Sequence, residues 1–152
     1  MRLKEKEKTA IKDLCTQEEA CVEKYRRYAK EAKDPVLKEL CTNIMKKEEK
    51  HLESLNQILA GTCPTCDVND SEGEQYNPQA TYDAKTESKE KKADNFLVTD
   101  LIGTEKLVSG EYNTNVFIFA DACIRKLLAD IQVEEQNHAE MLYKYKTVNG
   151  MA

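Results

Sequence analysis

A shift of 87 residues lays the first half of this chain on the second. Asp13 falls on Asp100, Leu14 on Leu101, Glu18 on Glu105 and Tyr25 on Tyr112. Further along, Asp34 meets Asp121, Leu40 meets Leu127, Ile44 meets Ile131 and Glu48 meets Glu135. His51 then meets His138, Glu53 meets Glu140 and Leu55 meets Leu142, all without a gap. A segment repeated in this way is one supersecondary unit used twice, and its two copies build a site with two-fold pseudo-symmetry.

The unit is a pair of helices. Inward positions step by three and four residues, the buried seam of an amphipathic helix. The first seam reads Ile11, Leu14, Glu18, Cys21, Tyr25, Tyr28, Ala32, and the second Leu37, Cys41, Ile44, Glu48, His51, Leu55, Ile58. The third reads Val98, Leu101, Glu105, Val108, Tyr112, Phe119, and the fourth Ile124, Leu128, Ile131, Glu135, His138, Leu142, Tyr145. The helical stretches run from about Glu5 to Ala32, Pro35 to Leu59, Ala93 to Phe119, and from after Asp121 to about Lys146. Asp34-Pro35 supplies an N-cap with proline at the first helical position, and Asp121 is the matching cap in the second unit. Asn149-Gly150 ends the last helix.

Short turns inside each unit predict two antiparallel helical hairpins, spanning 5–59 and 93–148. Residues 60–92 between them are polar, contain Pro64 and Pro78, and are too many for a loop between neighbours. They suit a connection that runs the length of a bundle. The expectation is an all-α four-helix bundle, one domain over residues 1–152, made of two repeated hairpins and a long crossover.

With 34% charged residues, a net charge of −5 and a pI near 5.2, the chain has no basic stripe to neutralise phosphates. Nucleic acid is not an expected partner. No apolar run approaches the ~20 residues of a bilayer span, and the charged start from Met1 to Lys8 lacks the apolar core of a signal peptide. These features predict a cytoplasmic protein without a membrane partner.

Each seam is interrupted at mid-height by carboxylate or imidazole. Glu48-Glu49-Lys50-His51 and Glu135-Gln136-Asn137-His138 are both Glu-x-x-His, which puts two donors on one helix face a turn apart. Glu18 and Glu105 add one carboxylate each, and His51 and His138 are the chain's two histidines. Burying four carboxylates together is costly unless cations neutralise them, and the adjoining seam positions hold no Lys or Arg. Two divalent ions would balance the charge, and oxygen with imidazole donors suits iron first, with manganese or zinc also acceptable. A single Glu-x-x-His in a Glu-rich helix is commonly solvated surface. The second copy, in phase, predicts metal ligation by Glu18, Glu48, His51, Glu105, Glu135 and His138. Tyr25 and Tyr112, two turns from the helical glutamates, are either donors to a ligand carboxylate on a facing helix or core aromatics satisfied elsewhere. Asp13 and Asp100 either orient the histidines or are exposed first-turn acids.

The pattern of Glu followed by Glu-x-x-His, repeated in two hairpins, resembles that of ferritin-like dimetal carboxylate proteins such as rubrerythrin and bacterioferritin. Glu18, Tyr25 and Ala29 are similar to the first-helix signature of rubrerythrins. The second half resembles the Coat F domain of spore coat proteins. That likeness lies in Thr104-Glu105-Lys106, Glu111-Tyr112-Asn113-Thr114, the run from Ile131 to His138, and the closing Asn149-Gly150-Met151-Ala152. The resemblances cover both hairpins and not the linker. They imply a ferritin-like fold with two metal ions per chain, Glu48 and Glu135 bridging them. Glu18 with His51 and Glu105 with His138 are then the terminal ligands. Glu to Glu-x-x-His spans 30 residues here, a little shorter than in those relatives, and both halves share it.

Two functions follow from the likeness. One is redox chemistry on oxygen or hydrogen peroxide, as an oxidase, peroxidase or catalase. The other is a structural role in the spore coat of an endospore-forming bacterium, with the bundle serving assembly as a homodimer or with coat partners. A storage cage fits less well, since no short fifth helix follows the fourth.

Six cysteines do not read as a disulfide framework. Cys15, Cys21, Cys41 and Cys123 fall in helical patterns, where free Cys acts as a small hydrophobe, and a reducing compartment is expected. Cys63-Pro64-Thr65-Cys66 is the one cysteine motif. It is an incidental loop pair or a disulfide formed on oxidation, a redox dithiol, or half of an iron–tetrathiolate centre shared by two subunits.

Overall fold

Asp34 and Asp121 cap helices as their sequence context predicts. The Asp34 carboxylate accepts from Val36 N at 3.0 Å, and that of Asp121 accepts from Cys123 N at 2.7 Å and Ile124 N at 3.3 Å. Each satisfies amide groups that a helix start leaves unbonded. The computed structural model describes residues 1–67 and 70–152; Val68 and Asn69, in the expected crossover, lie outside the described residues. The described residues are all-α: α1 (Glu5–Glu31), α2 (Pro35–Leu59), the short α3 (Glu72–Gln75), α4 (Lys89–Val116) and α5 (Ala122–Val148).

Two boundaries differ from expectation. Helix α4 starts four residues early because Ser88 caps it, its side chain accepting from Lys91 N at 3.1 Å. It also stops at Val116, before Phe119. Every predicted inward position is buried except Tyr28, which is half-buried.

Helix α1 packs along α2 and α4 along α5, with α1 also facing α4 and α2 facing α5. Cross-helix partners fix the directions. Tyr25 meets Glu105 while Tyr112 meets Glu18, and Asp34 meets Tyr145 while Glu48 meets His138. Neighbouring long helices are therefore antiparallel, α2 and α4 point the same way, and the chain between them has to return along the helices. Buried apolar side chains gather in two clusters. One contains Ile11, Leu14, Ile58, Ile124 and Leu128; the other contains Leu37, Leu40, Val98, Leu101 and Leu142. Each buried Leu or Ile contributes about 1.5–3 kcal/mol through removal from water. The polar seam residues lie in the layer between these clusters.

The returning segment is fastened at several points. Helix α3 sits on α5: Gly73 N donates to Asn137 Oδ1 at 3.2 Å, and Lys144 Nζ donates to Gly73 O at 2.7 Å. Further on, Asn149 Oδ1 accepts from Thr81 N and Tyr82 N, both at 2.9 Å. Lys91 is buried, and its ammonium donates to the carbonyls of Asp83 at 2.9 Å and Thr86 at 2.8 Å. Gly150 adopts φ +67°, and a Cβ there would lie 2.2 Å from Ala84 O, so no other residue fits.

One expectation about the cysteines is overturned. Cys63 and Cys123 form a disulfide with Cα atoms 6.3 Å apart, tying the crossover to the first turn of α5. Cys123 is exposed, so nothing apolar holds it as a free core thiol. Cys66, the expected partner of Cys63, is free, as are the buried Cys15, Cys21 and Cys41. Among the described residues, no helix is long and apolar enough to cross a membrane.

Candidate metal centre

Helix periodicity carries six polar side chains into the dry layer between the apolar clusters. Glu18 from α1, Glu48 and His51 from α2, Glu105 from α4, and Glu135 and His138 from α5 are each at most 3% exposed. They fall into two groups whose donor atoms lie within 4.8 Å of one another: Glu18, Glu48, His51, Glu135, and Glu48, Glu105, Glu135, His138. Glu48 and Glu135 belong to both. His51 Nδ1 stands 3.2 Å from Glu48, 3.3 Å from Glu135 and 3.7 Å from Glu18. His138 Nδ1 stands 3.0 Å from Glu48 and 3.4 Å from Glu105. The two rings are 6.1 Å apart.

The repeat is visible atom by atom. Tyr25 Oη donates to Glu105 Oε1 at 2.5 Å, and Tyr112 Oη, 87 residues on, donates to Glu18 Oε1. His138 meets Glu48, as His51 meets Glu135. At the helix ends, Lys33 N donates to Asp94 at 2.8 Å, and its counterpart Ala120 N donates to Glu7 at 3.4 Å. Both tyrosines are thus buried donors to carboxylates on a facing helix.

Burial and mutual repulsion shape the protonation of the layer. Loss of water, followed by the charge of Glu48, pushes Glu18 up to about 8. Burial and the nearby Glu48 and Glu105 likewise hold Glu135 well above the usual carboxylate range. Burial opposes ionisation of Glu48 too, but His51 and His138 outweigh it and hold that carboxyl low. Burial would depress His138, yet Glu105 and Glu48 raise it to about 10.

These side chains could hold cations. Glu18 Oε2, Glu105 Oε2 and Glu135 Oε1 are buried without a hydrogen-bond partner, a costly state for a carboxylate oxygen. Among the described residues, the only ion-pair partners of the four carboxylates are the two imidazoles. Hard oxygen donors with imidazole nitrogen are a set for divalent iron, manganese or zinc.

Sequence reasoning missed Glu134. It lies one position off the α5 seam, and its carboxylate meets His51 Nε2, outside the six-residue layer. Its repeat counterpart is Lys47, whose ammonium lies 3.9 Å from Glu134 and 3.5 Å from Glu72. A cleft of about 400 Å³ opens there, lined by Lys47, His51, Asp70, Asp130 and Glu134. The doubled acid Glu134-Glu135 was the available signal. Asp13 and Asp100 do not touch the histidines. Both sit well inside their helices, and Asp100 pairs instead with Lys24 at 2.8 Å and Tyr28 at 2.6 Å.

No curated protein and no solved structure matches the chain. The Coat F domain matches residues 93–152, most of α4, all of α5 and the closing residues. The second hairpin, with Glu105, Glu135 and His138, is therefore the part of this chain that is similar to a spore coat domain.

Proposed function

We propose that the protein is a component of the spore coat of an endospore-forming bacterium, built as a single ferritin-like bundle around a dinuclear metal centre. The Coat F likeness of residues 93–152 supports the coat assignment. The metal centre rests on one observation, the two buried donor groups that share Glu48 and Glu135. In this reading Glu18, Glu48, His51 and Glu135 would hold one ion, and Glu48, Glu105, Glu135 and His138 the other. Iron is the preferred metal, with manganese or zinc as alternatives. The bundle is the assembly unit, and bound ions stabilise it by replacing the protons of an acidic interior.

A second reading adds redox activity, supported by the cleft that reaches His51 from outside. A bound pair of iron or manganese ions supplies Lewis acidity and electron transfer toward oxygen or hydrogen peroxide. The chain's own part is to hold Glu105 and Glu18 by the hydroxyls of Tyr25 and Tyr112 and to exclude water with the two apolar clusters.

Elemental analysis of the purified protein beside a Glu48→Ala/Glu135→Ala variant tests the centre. About two ions per chain, lost in the variant, is the expected result; no uptake of iron, manganese or zinc on reconstitution refutes it. Peroxide consumption by the loaded protein then separates the redox reading from a structural role. A fluorescent fusion followed through sporulation tests the coat assignment, which fails if the signal stays out of the coat.

A further inference from the structure

Along the outer face of α4, Phe96, Gly103, Gly110 and Phe117 stand seven residues apart, with Leu107 between the glycines. Residues seven apart on an α-helix share a face to within about 20°, so these five form one stripe. Phe96 is 67% exposed, Leu107 66% and Phe117 86%. A Cβ on Gly103 or Gly110 would meet nothing within 4 Å, so the fold of a single chain gives no reason for either glycine. Glycine inside a helix weakens it relative to alanine; what it permits is the close approach of another backbone.

The stripe reads the same in both directions. Phe96 and Phe117, Thr99 and Thr114, and Gly103 and Gly110 are symmetric about the midpoint between Lys106 and Leu107. A two-fold interface requires a surface complementary to its own reverse, and the order of side chains along this face meets that requirement. A second copy laid antiparallel sets Phe96 against Phe117 and Gly103 against Gly110 at both ends.

We propose that a second copy of this chain docks along this face of α4, the two helices antiparallel with Leu107 near the axis. The interface uses none of the metal-centre residues, so its success or failure is separate from that of the centre. Sedimentation equilibrium of the purified protein is expected to give twice the chain mass of 17.4 kDa. The Gly103→Gln/Gly110→Gln variant is expected to fall to one chain mass and to keep its helical signal, because both positions face open space. Mixed Thr99→Cys and Thr114→Cys chains should cross-link to each other on mild oxidation, and neither to its own kind. A monomeric wild type, a dimer untouched by the glycine substitutions, or self-linking Thr99→Cys chains would overturn the proposal.

Discussion

Glu18 and Glu135 are acids that burial keeps protonated near neutral pH, and His138 is an imidazole that its carboxylate neighbours keep charged. All three bind protons more tightly folded than unfolded, so stability falls as pH rises wherever the folded state alone is protonated. For Glu18 that window runs from its ordinary 4.5 up to about 8, and for His138 from 6.5 up to about 10. Glu48 and Glu134 are shifted down and act only in acid. The metal-free protein is therefore expected to melt at steadily lower temperature from about pH 5 to pH 9, measured by circular dichroism. If metal replaces those protons, binding near pH 7 releases them into a weakly buffered solution and tightens as pH rises. The tyrosines give a sharper test. Tyr25→Phe leaves Glu105 without its donor and should cost about 1–3 kcal/mol in urea denaturation. Tyr112→Phe should cost a similar amount, since its bond is the counterpart in the repeat. A silent substitution at either site would show that the hydroxyl contributes nothing.

Helices and their caps were legible because their signals are local. Asp34-Pro35 and Asp121 stand beside the turns they start, and each seam declares itself within its own helix. The crossover was not, because its order comes from groups far away in sequence. Gly73 depends on Asn137, Thr81 on Asn149, and Cys63 on Cys123. The Cys63 to Cys66 spacing pointed to a local pair, whereas the actual partner is 60 residues away. Closing a loop of that size removes about 4 kcal/mol of unfolded-state entropy. Cys123→Ser is accordingly expected to lower stability by about 2–4 kcal/mol, and Cys66→Ser by much less. Equal effects on the urea midpoint would count against the Cys63–Cys123 link. Between the hairpin ends, Asp94 is fully buried and accepts from Lys33 N, Asp34 N and Tyr82 Oη. Asp94→Ala should therefore cost about 3 kcal/mol, well beyond Glu7→Ala.

At the scale of the molecule, the site belongs to neither hairpin. That six side chains meet in one buried layer was legible because the repeat marks them twice; Glu134 was not, because the repeat puts Lys47 in its place. If two ions bind, they hold the hairpins together, and metal at about 100 times its dissociation constant adds about 2.7 kcal/mol. That raises the melting temperature by roughly 5–10 °C, and a thermal scan with and without metal reads it directly. The reciprocal bonds also tie each half to the other. Tyr25 reaches into the other hairpin for Glu105, and Tyr112 reaches back for Glu18. A lone hairpin would hold three of the four side chains of one group and one of the other, and would complete neither without its counterpart. The two halves are not identical, and Lys47 facing Glu134 is one place where the repeat is broken.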